Sequence, residues 1–545
     1  MAVTEADKIF KEFREHSAAE FFKKNRQMLG YSGAGRSLVT IVHEYVTNSL
    51  DACEEAGILP DIKVVVRKVE NQHSNNRYAV IVSDNGPGIP KSYVGKALAT
   101  IFAGTKFHRH IQQRGQQGIG AAGCLLFSQI TTGKPIFVKS STGRGHAYSC
   151  FISLNTANNK PIIENMVDID EEFIGLSVEG EFSEIRYESG DHGVLEYLRR
   201  TALSNPHAKI SLVDPSGQEL VFMRAVEKMP ERPKVAKPHP LGLSANDLLE
   251  FSHLSNSRKI SSFLTDTFAR TTPNKVGELK DADPSIDLDK DPKKMGWDDA
   301  EKIINAFRKV KWVAPDASSI VPIGEDQIKV ALSNILNPDH MSVTQRTPKV
   351  FRGGVPFIVE AAVTYGGNSG KKDDDGYSGN ILRFANRVPL LFDSGVCAIT
   401  QAVKGIDWRR YSIDIESQPV SILVNVSSVY IPYSGVGKEA ISQEAEIVEE
   451  IKLAVMEAAR GVQRYVRGQD QMNFNFNRYK AISRYIKQLS KDLGDLTGED
   501  SSSIETKLNK VISKHFPKPK EQASQVNPYL DGAVSDASDK TPVDG

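Results

Sequence analysis

Apolar and polar residues recur at helical spacing between residues 38 and 52. The apolar positions repeat every four residues on one face of the predicted helix, at Leu38, Val42, Val46 and Leu50. Glu44, Asn48 and Asp51, at steps of four and three, share another stripe. Since a polar stripe is most often a solvated helix face, this pattern alone leaves a solvated face and an active site both open. Ser37 is the predicted N-cap.

Strand-like runs follow this helix. Residues 61–69 (DIKVVVRKV) and 77–84 (RYAVIVSD) are rich in β-branched residues, and more strand material lies within residues 135–152. Residues 194–214 have the pattern of a helix, a turn and a strand. The chain to about residue 230 is therefore predicted to form one α/β sandwich.

The second half of the chain has a different pattern. Residues 230–240 are rich in proline and basic residues, which marks a linker, and residues 241–313 form short helices broken by turns. Strands return after about Ser342, and the order strand, helix, strand in residues 381–432 predicts a second α/β sheet with a right-handed crossover. A helix of about 30 residues is predicted from Ala440.

Composition narrows the class of protein without naming a function. Lys+Arg and Asp+Glu both total 68, so no net charge draws the chain to nucleic acid as a whole. The four cysteines have no paired spacing, which argues against a zinc site or a disulfide framework. Neither a signal peptide nor an apolar run long enough for a membrane span is recognisable, so we expect a soluble cytoplasmic protein without a membrane partner.

A turn rich in glycine ends the second predicted strand. In DNGPGIP, Asp84 closes the strand, and Gly86 and Gly88 lie in the turn that follows. Glycine lets the backbone pass close to a ligand, and a carboxylate at a strand end can accept a hydrogen bond from an exocyclic amine. An ordinary Asx turn explains the same residues equally well.

The segment GQQGIGAAG indicates a phosphate-binding loop. Gly118, Gly120 and Gly123 satisfy G-x-G-x-x-G, but the preceding residues are not a strand and no acidic residue follows in residues 136–145, so a Rossmann fold is excluded. No P-loop motif occurs. Glycines that open a helix at Ala121 would nevertheless present backbone N–H groups to an anion, and Thr105 and Lys106 could add a hydroxyl and a cation.

These signals together change the interpretation of the polar stripe. A bound triphosphate needs Mg²⁺, which prefers oxygen ligands, and the Asn48 amide can supply one without adding charge. Glu44, one turn earlier, could polarise an attacking water. The helix with E-x-x-x-N, the turn with D-x-G-x-G and the glycine-rich loop occur in an order that favours an active site over a solvated face.

That ordered set resembles the GHKL ATPase superfamily, whose nucleotide-binding α/β sandwich is called the Bergerat fold. Within it the chain is most similar to the B-subunit family of type IIB topoisomerases (topoisomerase VI), over roughly residues 5–510. The blocks that carry this similarity are HEYVTNSLDACEEAGILPDI, DNGPGIP, RGQQGIGAAG, YLRRTALSNPHAKI and YSGVGKEAI. DNGPGIP indicates only the superfamily, and the other blocks are more specific.

The resemblance implies a role for each candidate residue. Glu44 would be the general base, Asn48 the Mg²⁺ ligand and Asp84, with Gly88, the adenine-binding element of an ATP site. The phosphates would be held by Thr105, Lys106 and the loop of Gly115, Gln116, Gln117, Gly118, Ile119, Gly120 and Ala121. Lys438 would reach the γ-phosphate from the second α/β domain, although taken alone it resembles a solvated loop lysine.

The resemblance also implies a domain organisation for this α+β and α/β multidomain chain. The expected segments are an N-terminal strap (1–30), a GHKL ATPase domain (31–230), a helix–two-turns–helix domain (231–315), a transducer with a stalk helix (316–515) and a disordered tail (516–545).

As partners the resemblance implies an A subunit that cleaves DNA in an A2B2 heterotetramer, double-stranded DNA, and a second copy of this chain on ATP binding. Residues 474–489 (FNFNRYKAISRYIKQL) could contact DNA or pack on the A subunit. Two alternatives stay open. One is an ATP-driven clamp or chaperone of the MutL or heat-shock type, which we would not expect to contain residues 241–313 as a helical block. The other is a scaffold without turnover, which the presence of Glu44, Asn48 and Lys438 disfavours.

Overall fold

The computed structural model describes residues 17–69, 76–101, 111–115, 118–373, 376–435 and 437–515. The first part of the predicted strap and the whole predicted disordered tail lie outside these residues. No helix in the described residues is long and apolar enough to cross a lipid bilayer.

The first unit is an α/β sandwich that precedes residue 223. Its elements are α1 (Ala18–Lys24), α2 (Ala34–Ala56), β1 (Asp61–Lys68), β2 (Arg77–Asp84), α3 (Val94–Ala99), α4 (Gly120–Thr132), β3 (Ile136–Ser141), β4 (Ala147–Asn155), β5 (Lys160–Asp168), β6 (Gly175–Ser183), α5 (Val194–Ser204), β7 (Lys209–Val213) and β8 (Glu219–Phe222).

Eight strands of this unit form one sheet in the order β5-β4-β3-β6-β2-β1-β7-β8. Neighbouring strands are antiparallel except β1 and β7, which pair in parallel. Alternate residues of β1 are buried, as expected for a strand with one face on the core. Helices α2, α4 and α5 share this core, and the predicted apolar face of α2 is buried throughout. The sheet and α2 therefore fix where the polar stripe of α2 points.

The helical block that follows also agrees with its prediction. It comprises α6 (Ala245–Leu254), α7 (Ile260–Thr267), α8 (Pro273–Ala282) and α9 (Trp297–Lys309). Phe263, Phe268 and Phe307 are fully buried in its separate core. Because these short helices share their own apolar core, the segment has the organisation of a small domain.

The second α/β unit is built around a mixed sheet. Its elements are α10 (Glu325–Leu336), β9 (His340–Gln345), β10 (Lys349–Phe351), β11 (Val355–Tyr365), β12 (Lys371–Asp373), β13 (Gly376–Ser378), β14 (Asn380–Ala385), β15 (Val388–Pro389), α11 (Ala398–Lys404), β16 (Val420–Ser428), α12 (Ala445–Thr497) and α13 (Ser501–His515).

The main sheet of the second unit has the order β10-β11-β16-β14-β15, and β9 also pairs with β11. Strands β14 and β16 are parallel and α11 lies between them in the chain, which confirms the predicted strand, helix, strand order. Parallel neighbours need a long connection, and α11 provides it. The first turns of α12 pack across β11 and β9, so this helix starts on the sheet and continues beyond it.

Two predictions about helix ends are wrong. Helix α2 begins at Ala34 after Gly33, and the Ser37 hydroxyl donates to the Gly33 carbonyl inside the helix instead of capping it. Helix α12 has 53 residues, not about 30. The apolar residues that pack against the sheet end at Val466, so the sequence pattern predicted the helix only to about that point. The more polar residues that follow continue the same helix to Thr497.

Some elements had no prediction at all. Strand β6 occupies the centre of the first sheet although its sequence, GLSVEGEFS, holds two glycines, and edge strand β5 is mostly exposed. Helix α10 was also missed. The residues 474–489 lie on the distal part of α12, where Phe474 and Tyr485 are exposed, so both interpretations of that stretch stay open.

A buried carboxylate joins α10 to the second sheet. Glu360 on β11 is fully buried and accepts hydrogen bonds from the backbone N–H groups of Ile323 (3.0 Å) and Gly324 (2.6 Å). The Asn425 side chain donates to it at 2.8 Å. Because Gly324 is the N-cap of α10, the carboxylate satisfies donors at a helix N-terminus that would otherwise be unpaired.

Replacement of Glu360 should therefore destabilise the second unit. For Glu360→Ala we expect a loss of about 3 kcal/mol in the free energy of unfolding, because two buried N–H groups and one amide lose their acceptor. Glu360→Gln, which keeps one acceptor oxygen, should lose less. Urea unfolding followed by circular dichroism measures the difference, with exposed Glu449→Ala as control. Equal midpoints for Glu360→Ala and the control would contradict this assignment.

Candidate active site

The polar stripe of α2 borders a cavity of about 600 Å³. Glu44 and Asn48 are one helical turn apart and half-buried, while the apolar face of α2 is packed on the sheet. The third residue of the stripe, Asp51, is not among the residues that line this cavity. Instead, it forms a buried ion pair with Arg114, at 2.8 Å.

All the candidate site residues that the structure describes line this one cavity. They come from α2, from the end of β2 and the turn that follows it, from the loop before α4 and its first turn, and from the second unit. They are Glu44, Asn48, Asp84, Gly88, Gly115, Gly118, Ile119, Gly120, Ala121 and Lys438. Four further candidates, Thr105, Lys106, Gln116 and Gln117, lie outside the described residues.

Asp84 is held at the deep end of β2 by three donors. The Ser49 hydroxyl donates to Oδ2 at 2.5 Å, and the backbone N–H groups of Gly86 and Leu176 donate to Oδ1 at 2.9 and 3.2 Å. Burial raises the pKa of Asp84, and these hydrogen bonds oppose that rise. Since a carboxylate oxygen can accept two hydrogen bonds, Oδ2 can take one more from an amine in the cavity.

Two glycines allow close approaches at the cavity wall. A Cβ atom on Gly120 would lie 1.8 Å from Oε2 of Glu44, so any larger residue at the start of α4 would displace the Glu44 carboxylate from its present position. Gly88 has φ of +68°, and its Cβ atom would lie 2.3 Å from the Ser141 carbonyl oxygen. Glycine at both positions therefore has a steric cause.

The N-terminus of α4 faces the same cavity. The helix runs from Gly120 to Thr132, follows Gly118 at φ of +58°, and has no side-chain cap at Ile119. The first N–H groups of a helix have no partner within it, and the helix dipole adds partial positive charge there. This end of α4 can therefore bind an anion such as a phosphate group.

Lys438 reaches the cavity from the second unit. It lies in the loop closed by the bridge between Tyr433 and Ile441, and it adopts a left-handed φ of +54°. Burial lowers the pKa of His43, and the nearby Lys438 ammonium lowers it further while Glu44 opposes both. His43 and Lys438 both line this cavity, so the second unit presents a cation to the face of α2 that carries Glu44.

Three residues that matter for the site escaped the sequence interpretation. Ser49 orients Asp84, yet its spacing resembles that of any polar helix residue. Glu439 lines the cavity beside Lys438, and burial raises its pKa to about 7. Arg114 looked like part of a polar loop, and only the fold pairs it with Asp51. Asp51 and Glu54, three and six positions after Asn48, are the one signal in the sequence that could have suggested a buried cation such as Arg114 beside α2.

In the described residues, no group of three or more His, Cys, Asp or Glu side chains could hold a metal ion. The four cysteines are buried and free.

Comparisons with known proteins agree with this geometry. Residues 33–156 match the family model of histidine kinase-, DNA gyrase B- and HSP90-like ATPases. Residues 315–478 match the model of the topoisomerase VI B subunit transducer. The matches cover the wall formed by α2 and α4 and the unit that carries Lys438, which confirms the predicted GHKL ATPase fold with a transducer and shows that the chain is an ATP-binding protein.

Curated relatives match almost the whole chain. The B subunit of type 2 DNA topoisomerase 6 from Methanothermobacter thermautotrophicus is 42% identical over 506 residues, which are 92% of this chain and 96% of the relative. The proteins of the same name from Thermococcus sibiricus and Pyrococcus horikoshii are 38% and 40% identical and cover 95% and 94% of this chain. These matches favour the predicted topoisomerase family over the clamp and chaperone alternatives, and the chain belongs to the family of type 2 DNA topoisomerase 6 B subunits.

Proposed function

We propose that this chain binds and hydrolyses ATP in order to open and close a gate for DNA double strands, in a heterotetramer of two A and two B subunits. DNA cleavage would be the task of the A subunit, and the products would be relaxed and decatenated DNA. The observation that carries this proposal is the shared cavity, which Glu44 and Asn48 line from the first unit and Lys438 from the second. A ligand that touches both units can change how they are arranged.

The adenine and phosphate ends of ATP would occupy different parts of this cavity. Asp84 accepts the exocyclic amine, and Gly88 brings the turn close to the ring. The loop Gly115–Ala121 and the N-terminus of α4 hold the phosphates, together with Thr105 and Lys106. What supports this arrangement is the combination of a half-buried acceptor at one position and a helix N-terminus without a side-chain cap at another.

Asn48 is the proposed protein ligand for Mg²⁺. Its amide lines the cavity next to Gly115, on which a Cβ atom would lie 3.6 Å from Oδ1, so the amide oxygen faces the start of the phosphate-binding loop. One amide ligand suits an ion that takes its other ligands from phosphates and water. When bound, the ion would neutralise phosphate charge.

Glu44 and Lys438 would perform the remaining chemistry. Glu44 accepts the proton of the water that attacks the γ-phosphorus, while the bond between that phosphorus and the bridging oxygen of the leaving ADP breaks. Gly120 keeps the carboxylate free of a steric clash. Lys438 donates to the γ-phosphate oxygens, and their release after hydrolysis lets the second unit move.

Assembly follows from the same proposal. Residues 1–30 would act as a strap exchanged between two copies of this chain when ATP binds, and residues 316–515 would transmit the movement to the A subunit through α12. The domain boundaries, including the ATPase domain at 31–230 and the helix–two-turns–helix domain at 231–315, are part of the proposal. Because the substrate is chromosomal DNA, the complex would work at the nucleoid in the cytoplasm.

The general-base assignment predicts a separation of binding and hydrolysis. Glu44→Gln should keep ATP affinity within about threefold and lower kcat by roughly 1,000-fold, because the variant keeps its shape and loses the proton acceptor. Isothermal titration and a phosphate-release assay measure the two quantities, with exposed Glu449→Gln as control. Hydrolysis at the wild-type rate by Glu44→Gln would refute the assignment.

The role of Lys438 predicts a defect in turnover. Lys438→Met should lower kcat by roughly 100-fold, because a cation at the transferred phosphoryl group is lost. Nucleotide affinity should change little, since the α4 N-terminus and Asp84 remain. Exposed Lys311→Met provides the control in the same assays. A large loss of affinity with unchanged kcat would mean that Lys438 only binds the nucleotide.

The most direct test of function uses the complex with the A subunit. We expect relaxation of supercoiled DNA only with the complete complex, ATP and Mg²⁺, and no relaxation with Glu44→Gln in place of the wild-type chain. Neither protein alone should relax DNA. Relaxation at the same rate without nucleotide would contradict an ATP-driven gate.

A further inference from the structure

The described residues that lead into the phosphate-binding loop before α4 are attached to the second unit. We call residues 111–115 the lid base, because they lead into the loop before α4. The Gln112 side chain is buried and forms two hydrogen bonds with the main chain of Val321, one donated to its carbonyl at 3.0 Å and one accepted from its N–H at 2.5 Å. The lid base is thereby fixed to a residue outside the ATPase sandwich.

A tight turn of the second unit makes the next contacts. Asn386 and Arg387 connect β14 to β15 and both have positive φ, +48° and +66°. Asn386 donates to the carbonyl of Gln113 at 3.2 Å. The carbonyl of Arg387 accepts hydrogen bonds from Ser204 (2.7 Å) and Asn205 (3.0 Å). The turn is therefore inserted between the lid base and the end of α5, and its unfavourable backbone conformation is maintained by these contacts.

One carboxylate joins the lid base to this turn. Glu54 on α2 binds Arg114 of the lid base at 2.6 Å and Arg387 at 3.3 Å. His207 lies 2.9 Å from the same carboxylate. Both arginine side chains are about 5% exposed or less. Although burial raises the pKa of Glu54, the two guanidinium groups outweigh it and hold this pKa well below its ordinary value.

Arg114 also connects this cluster to the phosphate-binding side of the cavity. Its second partner is Asp51, and the backbone N–H of Gly115 lies 3.5 Å from the same Asp51 side chain. Gly115 in turn is next to the Asn48 amide. A shift of Arg114 therefore moves the lid backbone at the place where the nucleotide phosphates are expected.

We propose that Arg387 is a positioning residue for ATP binding, which holds the lid base in its binding conformation through the Glu54 carboxylate that it shares with Arg114. The lid base then has a mechanical connection to the second unit that does not involve Lys438. This inference rests on the proposed function of the cavity. It goes further by assigning the second unit a role in positioning the lid base in addition to contacting the γ-phosphate.

The two connections predict opposite kinetic signatures. Without Arg387 the lid base loses part of its preorganisation, so more ordering accompanies nucleotide binding and the affinity falls. Once ATP is bound, Glu44 and Lys438 are still in place. Arg387→Met should therefore raise the KM for ATP and the Kd of a non-hydrolysable analogue roughly tenfold, while kcat changes less than about threefold.

The experiment compares four full-length proteins in the same assays. They are the wild type, Arg387→Met, Arg387→Lys and the control Arg346→Met. Arg346 also belongs to the second unit and binds two carboxylates, Glu450 and Glu457, but it lies away from the lid. Hydrogen–deuterium exchange of peptides that cover the lid base provides an independent readout, and we expect faster exchange only in the two Arg387 variants.

The result that would overturn the proposal is an unchanged KM and analogue Kd in folded Arg387→Met, or an equal change in Arg346→Met, which would indicate general destabilisation. If Arg387→Met does not fold, Arg387→Lys decides. Arg387→Lys keeps the buried positive charge but lacks the forked N–H donors of the guanidinium group. It should therefore raise the KM for ATP roughly threefold. Glu44→Gln is measured in parallel. If the general-base proposal is wrong, only the kcat of Glu44→Gln will differ from its expected value. The Kd of the analogue for Arg387→Met still tests the role of Arg387.

Discussion

A binding cavity that takes part of its wall from a second folded unit is complete only while the two units are docked. Here the docking combines apolar packing of Leu203 on α5 against α10 and the second sheet with a few charged contacts. The bidentate pair of Arg36 with Asp393, at 3.1 and 3.0 Å, holds the start of α2 against the unit that carries Lys438. The guanidinium group of Arg36 also lies 4.9 Å from the ring centre of Phe392. The geometry of the active site is therefore inseparable from that of the interface.

The charged contacts add specificity to this docking. Buried ion pairs gain little net stability, but removal of one partner costs much because the other charge is left buried and unpaired. The cluster around Glu54 follows this logic, because two arginines from different parts of the chain neutralise carboxylates of α2. Such a cluster specifies one arrangement sharply and can release it when a ligand favours another.

The sequence was sufficient for those parts of the site that depend on local pattern. The spacing of Glu44 and Asn48, the turn after Asp84 and the glycines before α4 each reflect a local conformation, so they could be recognised without the fold. In the first sheet the sequence pattern missed β6. This glycine-containing strand lies between β3 and β2 and derives its stability from these neighbours on both sides.

Apart from Lys438, which the resemblance supplied, the contacts between the two units were not predicted. Arg114 and Arg387 are 273 residues apart, and each resembles an ordinary polar loop residue. Their common partner, Glu54, lies beyond the part of α2 whose spacing drew attention to the site. Only the position of the β14–β15 turn against the end of α5 brings these three side chains together.

A structure of the chain with Mg²⁺ and a non-hydrolysable ATP analogue would show whether one nucleotide contacts both units. The quantity to measure is the distance between the Lys438 ammonium and the nearest γ-phosphate oxygen. One nucleotide that contacts both units requires a distance of about 3 Å. A separation of more than about 6 Å, with the analogue bound at Asp84 and the N-terminus of α4, would contradict the account, because the second unit would then have no contact with the phosphoryl group that is transferred.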